Sequence, residues 1–326
     1  MLRVLQSIFG FGAATGRYPE DVVRKAIERT VDGTDPWLRS VTGYRKMLRP
    51  AVIRAMDHVS SLVDALPPPI LVNRESLREN PLVRAFFTSP AEMRGILDTD
   101  SSLANFMRGA DAGASLVIAL LLLEKKETRI FGVEMSGERV VRDVPQILVS
   151  FESHRLMDPT GEEGQTRLRL KKRALDYLIR VALQRISAAK SERKDLERRN
   201  ALLRAKLDML RREGWGFNGD SQSPEEDRTV LEGNLRRIEA RLAALGSDER
   251  VLSSYLDMVI DVLARPEEHL RGGKETLVTD AMGIRREQPS DNTAEVTFTT
   301  ICDSSGRTRV AQLIAIPAEE LRAPKG

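Results

Sequence analysis

Residues that could perform acid–base, nucleophilic or metal chemistry are few and scattered in this sequence. The chain has three histidines, His58, His154 and His269, and one cysteine, Cys302. None lies at metal-ligand spacing from another, and the short motifs of zinc proteases, serine hydrolases and nucleotide-binding loops do not occur. We predict structural or surface positions for the histidines, with His269 on an exposed turn. Cys302 is predicted to be a core or edge thiol, and neither a cofactor nor a metal is expected.

Two further segments could suggest a ligand site. Asp98 and Asp100 could bind a metal as an acidic pair, but acids placed before a helix are more simply read as caps. The small residues from Gly109 to Ser115 precede an apolar strand, whereas a dinucleotide loop follows a strand and opens a helix. We interpret them as a loop or helix end. An enzyme whose site is assembled from distant residues stays open as one alternative.

Charge is concentrated in one part of the chain. Residues 167–212 contain sixteen Lys/Arg and five Asp/Glu, whereas residues 225–264 contain nine acids and five bases, although the whole chain carries only +3. One interpretation is a basic rail for nucleic acid or an anionic membrane surface, with Arg198, Arg199, Arg211 and Arg212 as candidate phosphate contacts. The other is a solvated helix face that is partly neutralised by an acidic partner helix.

The same basic region predicts a very long helix. Residues 166–213 contain neither Gly nor Pro, and apolar residues recur every three or four positions with Asn200 in one core slot. A second helix with the same spacing begins at Ser223-Pro224. We predict an antiparallel coiled-coil hairpin folded at residues 214–221, in which Asn200 either sets the register or lies at a poorly buried part of the rod. Trp215 and Phe217 at its tip are candidate contacts for a partner, or they cap the hairpin end.

Strand-like segments lie on both sides of the predicted hairpin. Residues 116–123, 128–134 and 140–151 read as three strands separated by turns, the first at Glu124-Lys125-Lys126. After the hairpin, residues 276–279, 295–302 and 308–316 are further candidates, and several helices are expected before residue 100. The predicted fold class is α+β, predominantly helical, with a small antiparallel sheet and the hairpin inserted between strand-bearing segments. The predicted divisions are a mixed α+β body, made of residues 1–165 and 266–326, and a coiled-coil arm at residues 166–265.

Composition and the N-terminal region bear on location. Hydrophobic residues make up 41% and charged residues 30% of the 326 residues, which is enough apolar material for a core. The longest near-apolar run, residues 112–123, is too short to span a bilayer, and we expect no signal peptide. Together with the single cysteine, this favours a cytoplasmic protein, and the Arg/Leu/Ala-rich composition suggests a bacterial one. Residues 1–11 could form a short amphipathic helix that touches a membrane, or pack on their own domain.

These patterns predict a non-catalytic interaction or scaffold protein. Its coiled-coil arm would bind a protein partner or mediate self-association. A nucleic-acid-binding protein that uses residues 167–212 is the first alternative, and the enzyme described above is the second.

Overall fold

The protein has an α+β fold in which helix predominates. The computed structural model describes residues 18–109, 113–136, 139–212, 224–245 and 248–321. The chain divides into two compact units. One contains Met56–Leu175 and the C-terminal segment from Pro266, and it holds the sheet. The other contains Tyr18–Ala55 and Asp176–Arg265, and it is helical.

The helices begin largely where the sequence places their caps. Ser89 Oγ accepts a hydrogen bond from the Glu92 amide, and Asp100 Oδ1 accepts from the amides of Ser102 and Leu103, which confirms Ser89 and Asp100 as caps. Asp98 lies inside the helix Pro90–Thr99, so the interpretation of Asp98 as a cap is wrong. A 3₁₀ helix, Pro36–Ser40, follows Asp35. The α-helices are α1 (Glu20–Gly33), α2 (Tyr44–Asp64), α3 (Ser76–Glu79), α4 (Pro81–Phe86), α5 (Pro90–Thr99), α6 (Ser101–Met107), α7 (Glu163–Arg212), α8 (Pro224–Leu245) and α9 (Asp248–Ala264).

Strands from both sides of the long helices form a single sheet, as predicted. The strands are β1 (Ile70–Leu71), β2 (Leu116–Ser136), β3 (Arg139–Thr160), β4 (Leu270–Asp280), β5 (Thr293–Asp303) and β6 (Thr308–Pro317). Their order is β3-β2-β6-β5-β4 with antiparallel neighbours, and β1 adds to β6 in parallel. Residues 283–286 hydrogen-bond to β3 on one side and β4 on the other, so they link the two outer strands.

The predicted turn at Glu124-Lys125-Lys126 is wrong, because β2 runs straight through it. The charged side chains find partners across the strands: Lys125 bonds to Glu275 and Glu127, and Lys126 bonds to Glu152. Burial lowers the pKa of Lys125, but the hydrogen bonds that its ammonium donates to these two carboxylates outweigh this effect and raise the pKa overall. Two of the predicted strands are therefore one strand of 21 residues.

Three β-bulges interrupt the pairing of β2 with β3. At each register shift β3 carries one more residue than β2, and each extra stretch contains a non-glycine residue with positive φ: Asp143, Ser153 or Asp158. Bulges of this kind bend the longer strand and increase its twist. The alternation of faces along β2 stays uninterrupted, because all the extra residues lie in β3.

The sheet packs against helices on both faces. On one face the strands β2 to β6 join α4, α5 and α6 in a core centred on Phe86, Phe151 and Phe298, whose rings meet edge to face 5.1–6.5 Å apart. On the other face Leu120 and Leu313 pack with the end of α2 and the start of α7.

A tight turn joins β5 to β6. Asp303 accepts hydrogen bonds from the Ser305 hydroxyl and from the amides of Ser305 and Arg307, and Gly306 has φ of +80°. Burial raises the pKa of Asp303, but these hydrogen bonds lower it by more, to about 2. This turn is the one predicted at Asp303–Gly306.

In the helical unit, ionic contacts hold α7 to the N-terminal helices. The guanidinium of Arg29 in α1 donates two hydrogen bonds of 2.6 Å to the carboxylate of Asp176. Lys190 donates to Asp35, which begins the 3₁₀ helix. Leu178, Ala182 and Ile186 of α7 are buried, as the predicted seam requires. Among the described residues, no helix combines the length and apolar content needed to cross a bilayer.

Candidate interaction surface

The sequence predicts an arm over residues 166–265, and the distal half of α7 with the whole of α8 forms the outer part of this region. We call this outer part, residues 190–212 and 224–245, the arm. Glu192 bonds to Arg241 at 3.0 Å, and Arg204 bonds to Glu239 at 2.7 Å. Nearer the start of α7, Arg185 bonds to Asp261 of α9 at 2.7 Å. Residues further along α7 pair with residues earlier in α8 and α9, so α8 and α9 run antiparallel to α7.

The seam of the arm is only partly buried. Leu207 is 4% exposed, whereas the remaining apolar seam positions that the structure describes keep intermediate exposure: Leu196, Leu203, Leu231, Leu235, Ile238 and Leu242. Asn200 lies among them and is also half-buried. Two helices alone cannot enclose a shared apolar seam, because each leaves its flanks open to water. The arm is therefore able to bury more apolar area against a further helix.

The carboxylates of the arm are largely occupied by its own arginines. Four glutamates already have an arginine partner: Glu192, Glu197, Glu232 and Glu239. Six exposed cations have no carboxylate partner within the described chain: Lys194, Arg198, Arg199, Lys206, Arg236 and Arg237. The arm thus keeps a positive charge that its internal ion pairs do not neutralise.

Three of these cations share one side of α7 with exposed apolar side chains. Lys194, Arg198, Leu202 and Lys206 follow one another at intervals of four, and Met209 comes one turn later, so they lie along one stripe. Leu202 is 55% and Met209 60% exposed. We call these five residues the outer face. It covers about 22 Å at ~1.5 Å per residue, or four helical turns.

The structure places some predicted site residues and leaves others outside its description. Arg198 and Arg199 are adjacent and exposed on α7, although only Arg198 belongs to the outer face. Arg211 and Arg212 are helical, but their side chains are not among those described. Trp215 and Phe217 lie outside the described residues, as does the N-terminal segment 1–11. Their predicted contacts with a partner or a membrane stay predictions.

The sequence analysis missed the apolar part of the outer face. Leu202 and Met209 are seven residues apart, which is a second heptad-like stripe beside the predicted seam. Val230 of α8 is a further exposed apolar side chain, at 63%. The spacing of Leu202 and Met209 was the available signal, and it was masked because the seam residues alone already explained a coiled coil.

The chemistry-bearing residues elsewhere hold the fold together. His154 bonds to the Phe86 carbonyl at 2.6 Å and stacks on Phe87, and His58 bonds to the Leu270 carbonyl at 2.7 Å. The prediction that His269 is exposed is wrong, since it is 6% exposed where the chain enters β4. Cys302 is half-buried near the end of β5. In the described chain, no group of His, Cys, Asp or Glu is arranged to hold a metal ion.

The carboxylate of Asp280, which is half-buried, is occupied by a turn. Its Oδ1 accepts from the amides of Met282 and Ile284, and its Oδ2 accepts from Arg286. Burial raises the pKa of Asp280, but these bonds outweigh it and the pKa is lowered. Asp280 therefore stays ionised in a structural role.

Comparison with known proteins adds no relative to this account: no protein-family model, curated protein or solved structure matches the chain. The function must therefore be argued from the chain itself.

Proposed function

We propose that this is a non-catalytic interaction protein whose coiled-coil arm binds an acidic, amphipathic helix of a protein partner. The observation that carries the proposal is the outer face, where Leu202 and Met209 lie in line with unpaired cations on one side of α7. A partner helix of about 15 residues would match the four turns of this face. Its apolar side chains would cover Leu202 and Met209, and its carboxylates would meet Lys194, Arg198 and Lys206.

Both parts of this surface support a helical protein rather than a nucleic acid as the partner. Phosphates require cations but gain nothing from exposed leucine and methionine, whereas a helix docks through apolar residues at intervals of three and four. The half-open seam and Asn200 lie on the other side of α7, so they serve the contact between α7 and α8 and not the contact with this helix.

Charge also favours a different partner over a second copy of the same arm. Two arms packed along their outer faces would bring Lys194, Arg198 and Lys206 against cations of the same kind. Like charges at an interface cost energy unless counter-ions or carboxylates separate them. A protein with a complementary acidic helix avoids this repulsion. We also propose a cytoplasmic location, which a chain with a single cysteine favours.

The test measures binding of the full chain to synthetic helices. One probe is a 21-residue peptide with leucine at heptad core positions and glutamate elsewhere. The control probe has the same composition in scrambled order, so it keeps the charge but loses the apolar stripe. We expect the first peptide to bind at least tenfold more tightly than the second in fluorescence anisotropy.

Variants of the chain separate the two components of binding. Leu202→Ser with Met209→Ser, and separately Arg198→Glu with Lys194→Glu, should each weaken the binding at least fivefold. Met47→Ser and Lys46→Glu are matched controls, because both residues are exposed on α2 in the same unit. Equal binding of the two peptides, or no response to the serine variants, would contradict the proposal.

A nucleic-acid partner is the second candidate, and the six unpaired cations of the arm favour it. If it is correct, the chain binds a 20-base-pair DNA or RNA duplex with a steep loss of affinity as salt rises. Binding would then fall in the Arg198→Glu, Lys194→Glu variant and stay unchanged in the Leu202→Ser, Met209→Ser variant. That pattern would replace the helical-partner proposal.

A further inference from the structure

The hydrogen-bonding direction of each residue in β4 can be fixed from its neighbours. Pairing of β4 with β5 is continuous from Leu270↔Asp303 to Asp280↔Thr293. In an antiparallel pair, the N–H and C=O groups of successive residues point alternately toward and away from the neighbouring strand. The Val278 carbonyl accepts from the Arg286 amide, and the Asp280 amide donates to the Ile284 carbonyl. Even-numbered residues of β4 therefore direct their backbone groups away from β5.

This direction leaves an open stretch along the outer edge of β4. At one end the Leu270 carbonyl is bonded to His58 Nε2, and at the other the edge is covered by residues 284–286. Between them, Gly272, Lys274 and Thr276 turn their N–H and C=O groups outward, and within the described chain no other backbone pairs with them on that side. All three residues are exposed. The open edge is five residues long.

A groove of about 350 Å³ adjoins this open edge. Leu62, Ala65 and Leu66 near the end of α2, with Ile301 of β5, form its apolar wall. Its polar lining consists of His58, Ser61, Lys274 and Thr299, and no carboxylate belongs to it. The structure gives Lys274 no carboxylate partner among the residues that it describes.

Gly272 makes room for the Leu62 side chain of α2 over the strand. A Cβ at position 272 would lie 2.6 Å from Leu62 Cδ1, closer than side chains tolerate. Leu62 therefore packs directly over the strand backbone. A larger residue at position 272 would force the Leu62 side chain to another position and so change the apolar wall of the groove.

We propose that the edge of β4 binds an extended, acidic segment of a partner protein as an additional strand. The segment's backbone would pair with Gly272, Lys274 and Thr276, which is the usual way in which a peptide extends a sheet. A carboxylate of the segment would meet Lys274, and an apolar side chain would enter the groove between α2 and the strands. This surface belongs to the sheet-bearing unit and is separate from the arm.

A second copy of the chain fits this edge poorly. Symmetric antiparallel pairing of two β4 edges about their middle would place Lys274 opposite Lys274 of the other copy. Like charges directly opposite each other across strands are destabilising, and an edge lysine commonly prevents such pairing. The same lysine attracts an acidic segment, so it selects between the two occupants.

The experiment uses an acetylated, amidated heptapeptide with the sequence Thr-Val-Thr-Glu-Thr-Val-Thr, whose glutamate and two valines lie on one face of the strand, as Lys274 and the groove do. One control peptide replaces the glutamate with lysine, and a second control replaces one valine with proline, which lacks the N–H needed for pairing. With the full chain we expect binding of the glutamate peptide to be at least tenfold tighter than that of either control. The measurement is titration calorimetry or fluorescence anisotropy at 50 mM salt.

Two variants of the chain make the result specific to this edge. Lys274→Glu should reverse the preference, so that the lysine peptide binds better than the glutamate peptide. Thr276→Pro removes one outward donor without removing a bond to β5, and it should weaken the glutamate peptide at least fivefold. Thermal unfolding of both variants verifies that they are folded.

The proposal is overturned if both charged peptides bind alike, if Lys274→Glu leaves the preference unchanged, or if the proline peptide binds as well as its parent. It is also overturned if the chain dimerises in sedimentation and Thr276→Pro abolishes the dimer, because the occupant would then be a second copy.

Discussion

Replacing Lys190 with methionine should weaken the helical unit, because Lys190 neutralises a buried carboxylate. Its ammonium lies 2.6 Å from Asp35 Oδ2, and the Asp35 side chain is 4% exposed. It also lies 5.5 Å from the centre of the Tyr255 ring in α9. Without it, Asp35 keeps the hydrogen bond from the Trp37 amide, at 3.0 Å. Methionine keeps an unbranched apolar side chain that is one atom shorter than lysine, so the main effect of the change is the loss of the charge.

The cost follows from these contacts. A hydrogen bond to a charged group contributes about 1.5–3 kcal/mol, and a cation over an aromatic ring adds about 0.5–1 kcal/mol. The Lys190 side chain is 50% exposed, so water can replace part of what is lost, and the lower half of the range applies. We expect Lys190→Met to destabilise the unit by about 2–3 kcal/mol. This corresponds to opening that is about 30- to 150-fold more frequent.

Amide hydrogen exchange followed by mass spectrometry measures this opening locally. Protection should fall in peptides that cover residues 20–40 and 251–264, whereas peptides from β5 and β6 serve as the internal control. Asp35→Asn keeps the cap acceptor and removes the charge. In the double variant with Lys190→Met, the loss should be at least 1 kcal/mol smaller than the sum of the two single losses.

Two results would refute the reasoning. One is a change in protection of less than threefold in the Lys190→Met variant. The other is strict additivity in the double variant, which would mean that Lys190 and Asp35 do not stabilise each other.

Three further predictions concern the sheet-bearing unit. The pKa of Asp303 is depressed to about 2, so its contribution to the free energy of unfolding is present above about pH 4 and is lost as the pH falls toward 2. Asp303→Asn should therefore lower the free energy of unfolding by about 1 kcal/mol at pH 7 and by less at pH 2, as measured in urea titrations. Gly306→Ala should cost about 1 kcal/mol because its φ is +80°, whereas Gly95→Ala, in an exposed helix position, should be neutral or stabilising. Phe298→Ala should cost about 3–5 kcal/mol in the same titrations, and a loss below 1 kcal/mol would contradict the packing described for the aromatic core.

Much of the helical part of the fold could be predicted because its signals are local. Capping residues such as Ser89 and Asp100, the absence of Gly and Pro from residue 166 to 212, and the spacing of apolar residues all act within a few turns. The exposure of Arg198 and Arg199 followed from the same periodicity.

The strands were harder because their stabilising partners are distant in sequence. The run Glu124-Lys125-Lys126 resembles a turn until Glu275, 150 residues later, is seen to bond to Lys125. β4 was predicted only over residues 276–279 because Gly272-Gly273 resembles a loop. The reason for Gly272, contact with Leu62 of α2, is invisible in the local sequence.

The two proposed surfaces also differ in how far apart their residues lie in the sequence. The outer face of the arm lies within one helix, so its residues could be found by counting along the chain. The open edge of β4 and its groove depend on residues about 210 positions apart, such as His58 and Leu270. Only the fold brings them together.

The bulges of β3 also determine how β2 and β3 find each other during folding. A long two-stranded ribbon can slide by two residues without changing which side chains share a face. Here such a slide would move the positive-φ position of Asp143 onto Pro145, whose ring fixes φ near −65°, or onto the β-branched Val141. Each misplaced left-handed residue costs about 1–2 kcal/mol. The positive-φ positions of Asp143, Ser153 and Asp158 therefore disfavour shifted pairings of β2 with β3 and favour the one register that is observed.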